Sequence, residues 1–280
     1  MDPAIEATDL TKRYGDEAAV ADLSLSIPDG SVYGFLGPNG AGKTTTMRML
    51  TTLTRPTSGT ARVAGADVRD RPAVVEHIGY LPEEPPVFDE LTGREQLEYA
   101  AGLRDVGGDA AGRIDELLDR FGLSADADKR IGAYSKGMKQ KVGIAIAILH
   151  DPAVVFLDEP TSGLDPRAAR TVMDVVSELA RGDATVFLST HILPVVDELA
   201  DTVGVLSEGR LVAEGAPDDL KSQVAEGGGG TLEDVFLAVT GGPESVESSP
   251  AEGASVVDGE GTAEAAEDGG GTDASTRERP

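Results

Sequence analysis

Nine consecutive residues, Gly37-Pro38-Asn39-Gly40-Ala41-Gly42-Lys43-Thr44-Thr45, constrain the fold of this chain more than any other feature. They match the phosphate-binding pattern G-x-x-x-x-G-K-[ST]. A short apolar run, Val32 to Leu36, precedes them, and Met47, Leu50 and Leu53 follow at helical spacing. This predicts a strand, a loop and a helix over Thr44 to Leu53. Glycine lets the backbone wrap close to phosphate oxygens and aim N–H groups at them, and the helix N-terminus adds partial positive charge. Lys43 then supplies a full charge to β and γ phosphates, and the Thr44 hydroxyl can ligate Mg²⁺.

A second apolar run, Val154 to Leu157, ends in the adjacent carboxylates Asp158 and Glu159, about 115 residues downstream of Lys43. Alone, this reads as a strand ending in solvated acids. Beside a phosphate loop, Asp158 is placed to hold Mg²⁺ and Glu159 to orient or deprotonate an attacking water. Asp165 caps a predicted helix that starts at Pro166, runs to about Arg181 and stops at Gly182. Thr185 to Leu188 is the next strand, so strand, helix and strand predict parallel pairing with a right-handed crossover. Before the loop, Leu23, Leu25 and Ile27 alternate with Ser24 and Ser26, the period of a half-buried strand, and residues 60–64 are a further candidate. Residues 84–150 carry helical patterns, at Arg94 to Leu103 and at Gly112 to Phe121. The fold class is α/β.

Charge narrows the function. The chain has 24 Lys and Arg against 50 Asp and Glu, a formal net charge of -26. Such a surface repels nucleic-acid backbones, so nucleic acid is not an expected partner. Residues 241–280 hold about 10 acids and 2 bases, which leaves about -18 on the rest. The excess is therefore general, as expected of a protein adapted to a salty cytoplasm such as that of a halophilic archaeon. Cysteine is absent, which removes disulfides and thiolate metal sites. No signal peptide or membrane-spanning run is legible, so a cytoplasmic chain is expected. Gly227 to Gly230 reads as a flexible joint, and 241–280, poor in large apolar residues, as an acidic disordered tail.

Between the two motifs stands Tyr134-Ser135-Lys136-Gly137-Met138-Lys139-Gln140-Lys141, which resembles the signature sequence of ATP-binding cassette (ABC) ATPases. Four further marks follow the family's order. Tyr14 stands where an aromatic meets adenine. Ile78 to Glu83 stands at the loop that senses the γ phosphate. Ser162-Gly163-Leu164-Asp165 resembles the loop that crosses the dimer interface, and His191 the γ-phosphate histidine. The resemblance covers about residues 4–240. It implies a phosphate-loop core with an antiparallel β subdomain and a helical subdomain (about 84–150), and the acidic tail beyond it.

The resemblance further implies ATP and Mg²⁺ as cofactors, with Lys43, Glu159 and His191 catalytic. Tyr14, Gly37 to Thr45, Glu83, Ser135, Gly137 and Asp165 would contact nucleotide, and Thr44, Glu83 and Asp158 metal. Two cassettes, as a homodimer or with a related ATPase, would sandwich two ATP molecules and drive a multi-pass membrane permease encoded as a separate chain. That places the protein on the inner face of the membrane. Thr231 to Leu237 and the form of the signature look like exporter-type ATPases. The signature departs from the family at Tyr134, Lys136 and Met138, and Glu83 stands where most members have Gln. Two rivals remain, a soluble cassette protein of DNA repair or translation and a non-catalytic nucleotide-binding subunit. A single cassette and the acidic charge argue against the first; Lys43, Asp158, Glu159 and His191 argue against the second.

Overall fold

The chain opens with a hairpin of β1 (Ile5–Tyr14) and β2 (Glu17–Ile27), turning at Gly15, which adopts φ +59°. In β2, Leu23, Leu25 and Ile27 are buried while Ser24 and Ser26 are exposed, as the alternation predicts. Next, β3 (Val32–Leu36) is buried along its whole length and delivers the chain into the phosphate loop. The helix that follows, α1 (Lys43–Leu50), is shorter than the predicted Thr44 to Leu53. The Thr51 hydroxyl donates to the Met47 carbonyl at 2.7 Å, Thr52 adopts φ +64°, and Leu53 is left 50% exposed. Helical spacing thus outran the helix, because a left-handed residue ends it.

Two short strands, β4 (Ser58–Val63) and β5 (Ala66–Asp67), complete an antiparallel sheet in the order β2-β1-β4-β5. After α2 (Arg71–Val75) comes β6 (Ile78–Leu81). Ile78 to Leu81, read from the resemblance as part of a loop, is therefore an edge strand with Ile78 and Leu81 buried, and the loop begins at Pro82. The expected helical segment contains α3 (Gly93–Leu103), α4 (Ala110–Arg120) and α5 (Lys136–Ile148). α3 is started by a reciprocal cap: the Thr92 hydroxyl accepts from Glu95 N at 3.1 Å, and the Glu95 carboxylate accepts from Thr92 N at 2.9 Å.

The remaining elements are β7 (Val154–Asp158), α6 (Pro166–Arg181), β8 (Thr185–Thr190), α7 (Leu193–Leu199), β9 (Thr202–Ser207), β10 (Arg210–Gly215), α8 (Pro217–Val224) and α9 (Leu232–Thr240). Six strands form the central sheet in the order β10-β9-β3-β8-β7-β6, parallel throughout except for the antiparallel β9–β10 pair. Tyr33, Phe35, Phe156 and Phe187 stack across three of these strands, with the Phe187 ring 5.1 to 5.6 Å from the other three. Each such aromatic pair adds about 0.5–1.5 kcal/mol beyond the area it buries. This computed structural model describes residues 3–104, 106–182, 184–224 and 230–241, so most of the expected Gly227 to Gly230 joint, and the tail after Gly241, lie outside the described residues.

The strand order positions the site. β3, β8 and β7 are adjacent and parallel, so their C-terminal ends open on one crevice, the usual place for a ligand in a parallel sheet.

Candidate functional site

At that crevice the phosphate loop, the two acids and His191 line one cleft of about 640 Å³. The loop is shaped by close approach. A Cβ on Gly37 would stand 2.6 Å from the Leu206 carbonyl oxygen, and Gly42, at φ +106°, would clash with the Ala19 carbonyl. Neither position accepts a side chain, so the backbone N–H groups stay uncovered. Gly42 is also the N-cap of α1 and offers no side-chain cap, which leaves the first-turn donors available to an anion.

Lys43 is 7% exposed. Its ammonium donates to the Gly37 carbonyl at 2.6 Å and lies 3.7 Å from Glu159 Oε1. Glu159 is likewise buried, and it leaves β7 in the left-handed region, at φ +48°. A non-glycine residue held there costs of order 1–3 kcal/mol. The position is held from several sides. Glu159 N donates to the Ser189 carbonyl at 2.9 Å, and its Oε2 accepts from the Thr190 hydroxyl at 3.1 Å and from His191 N at 3.4 Å, with the His191 ring Nδ1 2.9 Å away. Asp158 is 1% exposed and accepts a short hydrogen bond from the Ser189 hydroxyl. Tyr80 on β6 has its phenol pushed up to about 12, first by burial and then by the nearby charge of Asp158.

Pro38, Asn39, Gly40, Gly42, Lys43, Thr44, Thr45, Glu83, Asp158, Glu159 and His191 all line the cleft. Gly37 and Ala41 do not; Ala41 is buried, and its carbonyl accepts from Gly209 N at 2.9 Å. Tyr14 stands at the end of β1, 52% exposed and outside the lining, with the Lys12 ammonium 5.0 Å from its ring centroid. Ser135, Gly137 and Asp165 do not line the cleft of their own chain. Ser135 caps α5, accepting from Met138 N at 3.2 Å. A Cβ on Gly137 would come within 3.1 Å of Ala168 Cβ, so α5 and α6 pack closely there. Asp165 caps α6, accepting from Arg167 N and Ala168 N at 3.0 Å each. Those N–H groups, Ala168 first, hold its carboxyl below the ordinary carboxylate range. Lys136 packs its ammonium against Gly163.

Relatives agree with this geometry. A sequence profile of the ABC transporter family matches residues 20–162. The chain is 44% identical over 242 residues to the daunorubicin resistance ATP-binding protein DrrA3 of Streptomyces coeruleorubidus, covering 86% of this chain and 75% of that protein. The chain belongs to the ABC transporter ATP-binding family. It is 41% identical over 225 residues to the bacitracin transport ATP-binding protein BcrA of Bacillus licheniformis, covering 80% of this chain and 73% of that one. A solved ATP-binding subunit of an ABC transporter superposes with a TM-score of 0.78 at 32% identity, covering 85% of this chain and 99% of that chain. This ABC ATPase is thus an ATP-binding and ATP-hydrolysing transporter subunit. Among the described residues no helix is long and apolar enough to cross a membrane.

Reading the motifs alone missed part of the ABC ATPase's cleft. Glu17, Ala18 and Ala19 of β2 and the Glu208-Gly209 turn line it, as does Ser162. Ser189 and Thr190, which hold the two acids, lie just past the predicted Thr185 to Leu188 strand and extend β8. Pairing the parallel strands end to end sets Asp158 opposite Ser189 and was the signal available for them.

Proposed function

We propose that this ABC ATPase powers export through a separate permease, acting as a pair of cassettes with Mg²⁺-ATP between them at the inner face of the membrane. The observation that carries the catalytic part is the meeting of Lys43, Asp158, Glu159 and His191 in one cleft at the ends of β3, β7 and β8. Lys43 exchanges its carbonyl partner for phosphate oxygens when nucleotide enters. Glu159, oriented by Thr190 and His191, takes the proton of the attacking water. His191 lies on the same wall, where the γ phosphate would end.

The donor set fits Mg²⁺. The Thr44 hydroxyl and the Asp158 and Glu83 carboxylates are hard oxygen donors that line the cleft. Among the described residues no group of three or more acids and histidines forms a protein cage for a metal. That matches an ion that keeps water and phosphate oxygens in its shell. When bound, Mg²⁺ neutralises charge on the β and γ phosphates.

Exposed Ser135 and half-buried Gly137 at the start of α5, together with Asp165, are the groups we assign to contact with the second cassette and its ATP, and Tyr14 to the adenine. Export as the direction, and a permease as partner, rest on the relatives named for drug resistance and bacitracin transport. Residues 1–240 would be the cassette, with the helical subdomain at about 84–150, and the tail would be dispensable for hydrolysis.

Phosphate release and nucleotide binding test the assignment. Lys43→Ala should lose ATP binding. Glu159→Gln should bind ATP, hydrolyse it about 10²-fold more slowly or worse, and accumulate as a dimer visible by light scattering. Wild-type turnover in Glu159→Gln would remove Glu159 as the base.

A further inference from the structure

Glu208 and Gly209 turn the chain from β9 into β10 with φ +48° and +76°. A tight hairpin with two left-handed residues favours Asn or Asp, with Gly second. Glutamate is a poor choice for the first of these positions, so the turn itself does not explain it. The turn is also rigid. Gly209 N donates to the Ala41 carbonyl of the phosphate loop at 2.9 Å, and the Gly209 carbonyl accepts from Ala21 N of β2 at 2.8 Å. A Cβ on Gly209 would stand 2.9 Å from the Ala19 carbonyl oxygen. Glu208 is thereby fixed on the cleft wall where the phosphate loop meets β2. Glu159 faces Lys43 and Asp158 faces Ser189, whereas the side chains of Glu17, Glu83 and Glu208, which also line the cleft, have no hydrogen bond or ion pair among the described residues; of these three, only the exposed Glu208 stands on the turn bonded to both the phosphate loop and β2.

A bare carboxylate beside a triphosphate site repels its ligand unless the ligand offers it a donor. An ionised carboxylate only accepts hydrogen bonds. Along ATP, the sugar lies between the phosphates and the base, and its hydroxyls are donors. The Glu208 turn touches the phosphate loop on one side and β2 on the other; β2 begins at Glu17, paired with Tyr14, the aromatic assigned above to the adenine, so the sugar of an ATP held at both ends would pass this turn. We propose that Glu208 accepts a hydrogen bond from a ribose hydroxyl of the bound nucleotide and makes this enzyme select ribonucleotides over deoxyribonucleotides. The proposal rests on reading the cleft as the ATP site.

The test compares kcat/KM for ATP, 2′-deoxyATP, 3′-deoxyATP and GTP in wild type, Glu208→Ala and Glu208→Gln. Ratios within one preparation do not depend on the fraction that is folded. Wild type should favour ATP over one of the two deoxy analogues by about tenfold or more, as for a hydrogen bond to a charged group; which analogue suffers identifies the hydroxyl. Glu208→Ala should bring that ratio within about twofold of unity, and Glu208→Gln, which keeps an acceptor oxygen without the charge, should fall between. A wild type with no preference, or a preference unchanged in Glu208→Ala, overturns the proposal. So does a change in the ATP to GTP ratio alone, which would assign Glu208 to the base. If wild type neither binds nor hydrolyses ATP, the nucleotide-site reading fails first.

Discussion

His150 shows how one buried atom sets a pH limit. Its Nε2 lies 3.0 Å from the Ile78 carbonyl, an acceptor, so that nitrogen carries the proton. Nδ1 is buried and has no hydrogen-bond partner among the described residues. Protonation would place a second N–H there with nothing to receive it. Burial first, and then the Arg104 charge, hold the imidazole below its ordinary value. The unfolded chain therefore binds the proton at higher pH than the fold does. Stability should fall as pH drops below the ordinary histidine range, near about 6.5. A urea titration series should show that slope in wild type and less of it in His150→Asn; equal slopes would remove His150 as the cause. Glu83, on the cleft wall, sets a second expectation at this scale. If its carboxylate reaches the metal, ATPase activity should need less Mg²⁺ in wild type than in Glu83→Gln. Superimposable Mg²⁺ titrations would make it one more surface acid.

α6 is an element whose ends were written locally. Asp165 receives two N–H groups, Pro166 fills the first helical position, and Gly182 follows Arg181 as the C-cap. Val172, Val175 and Val176 bury one face, against the core beneath β7 and β8. Asp165→Ala should lower Tm by about 2–4 °C while Asp165→Asn, which still caps, should not. The low carboxyl pKa means that this cap's contribution is present above the ordinary carboxylate range and is lost as pH falls through the folded value. An ATPase loss in Asp165→Asn without a Tm change would instead support contact with the second cassette. β7 and β8 carry the other lesson at this scale. Each is buried end to end, so neither shows a face by alternation. Their partnership depends on β8 lying between β3 and β7.

Across the whole molecule, a net charge of -26 repels itself. The described surface pairs some acids, such as Asp89 with Lys139 at 2.6 Å and Glu178 with Arg120 at 2.6 Å, but bases are too few for the rest. At about 0.01 M salt the screening length is near 30 Å, and at about 1 M near 3 Å. Far-UV circular dichroism over a KCl series should therefore show loosening or unfolding at the low end. Full structure and activity in about 0.01 M salt would contradict the salt-adapted reading. Removal of the residues after Gly241 should leave the hydrolysis rate nearly unchanged; a large fall would make the tail part of the working enzyme.

The amino-acid sequence by itself determined the phosphate loop, β3 before it, the acid pair after β7 and the two ends of α6. These are local: glycines where the backbone must approach a ligand, a short apolar run, a capping side chain beside the N–H groups it satisfies. It overran α1, where Thr52 turned left-handed, and it took Ile78 to Leu81 for loop although those residues pair with β7. Only the tertiary structure decided that β8 separates β3 from β7, and so that Ser189 and Thr190 hold Asp158 and Glu159. It also decided that Glu17 and Glu208, 191 residues apart, share a wall of the cleft. Periodicity tells a strand which side chains are buried but not which strand lies beside it, because that choice is made by packing between segments distant in the chain.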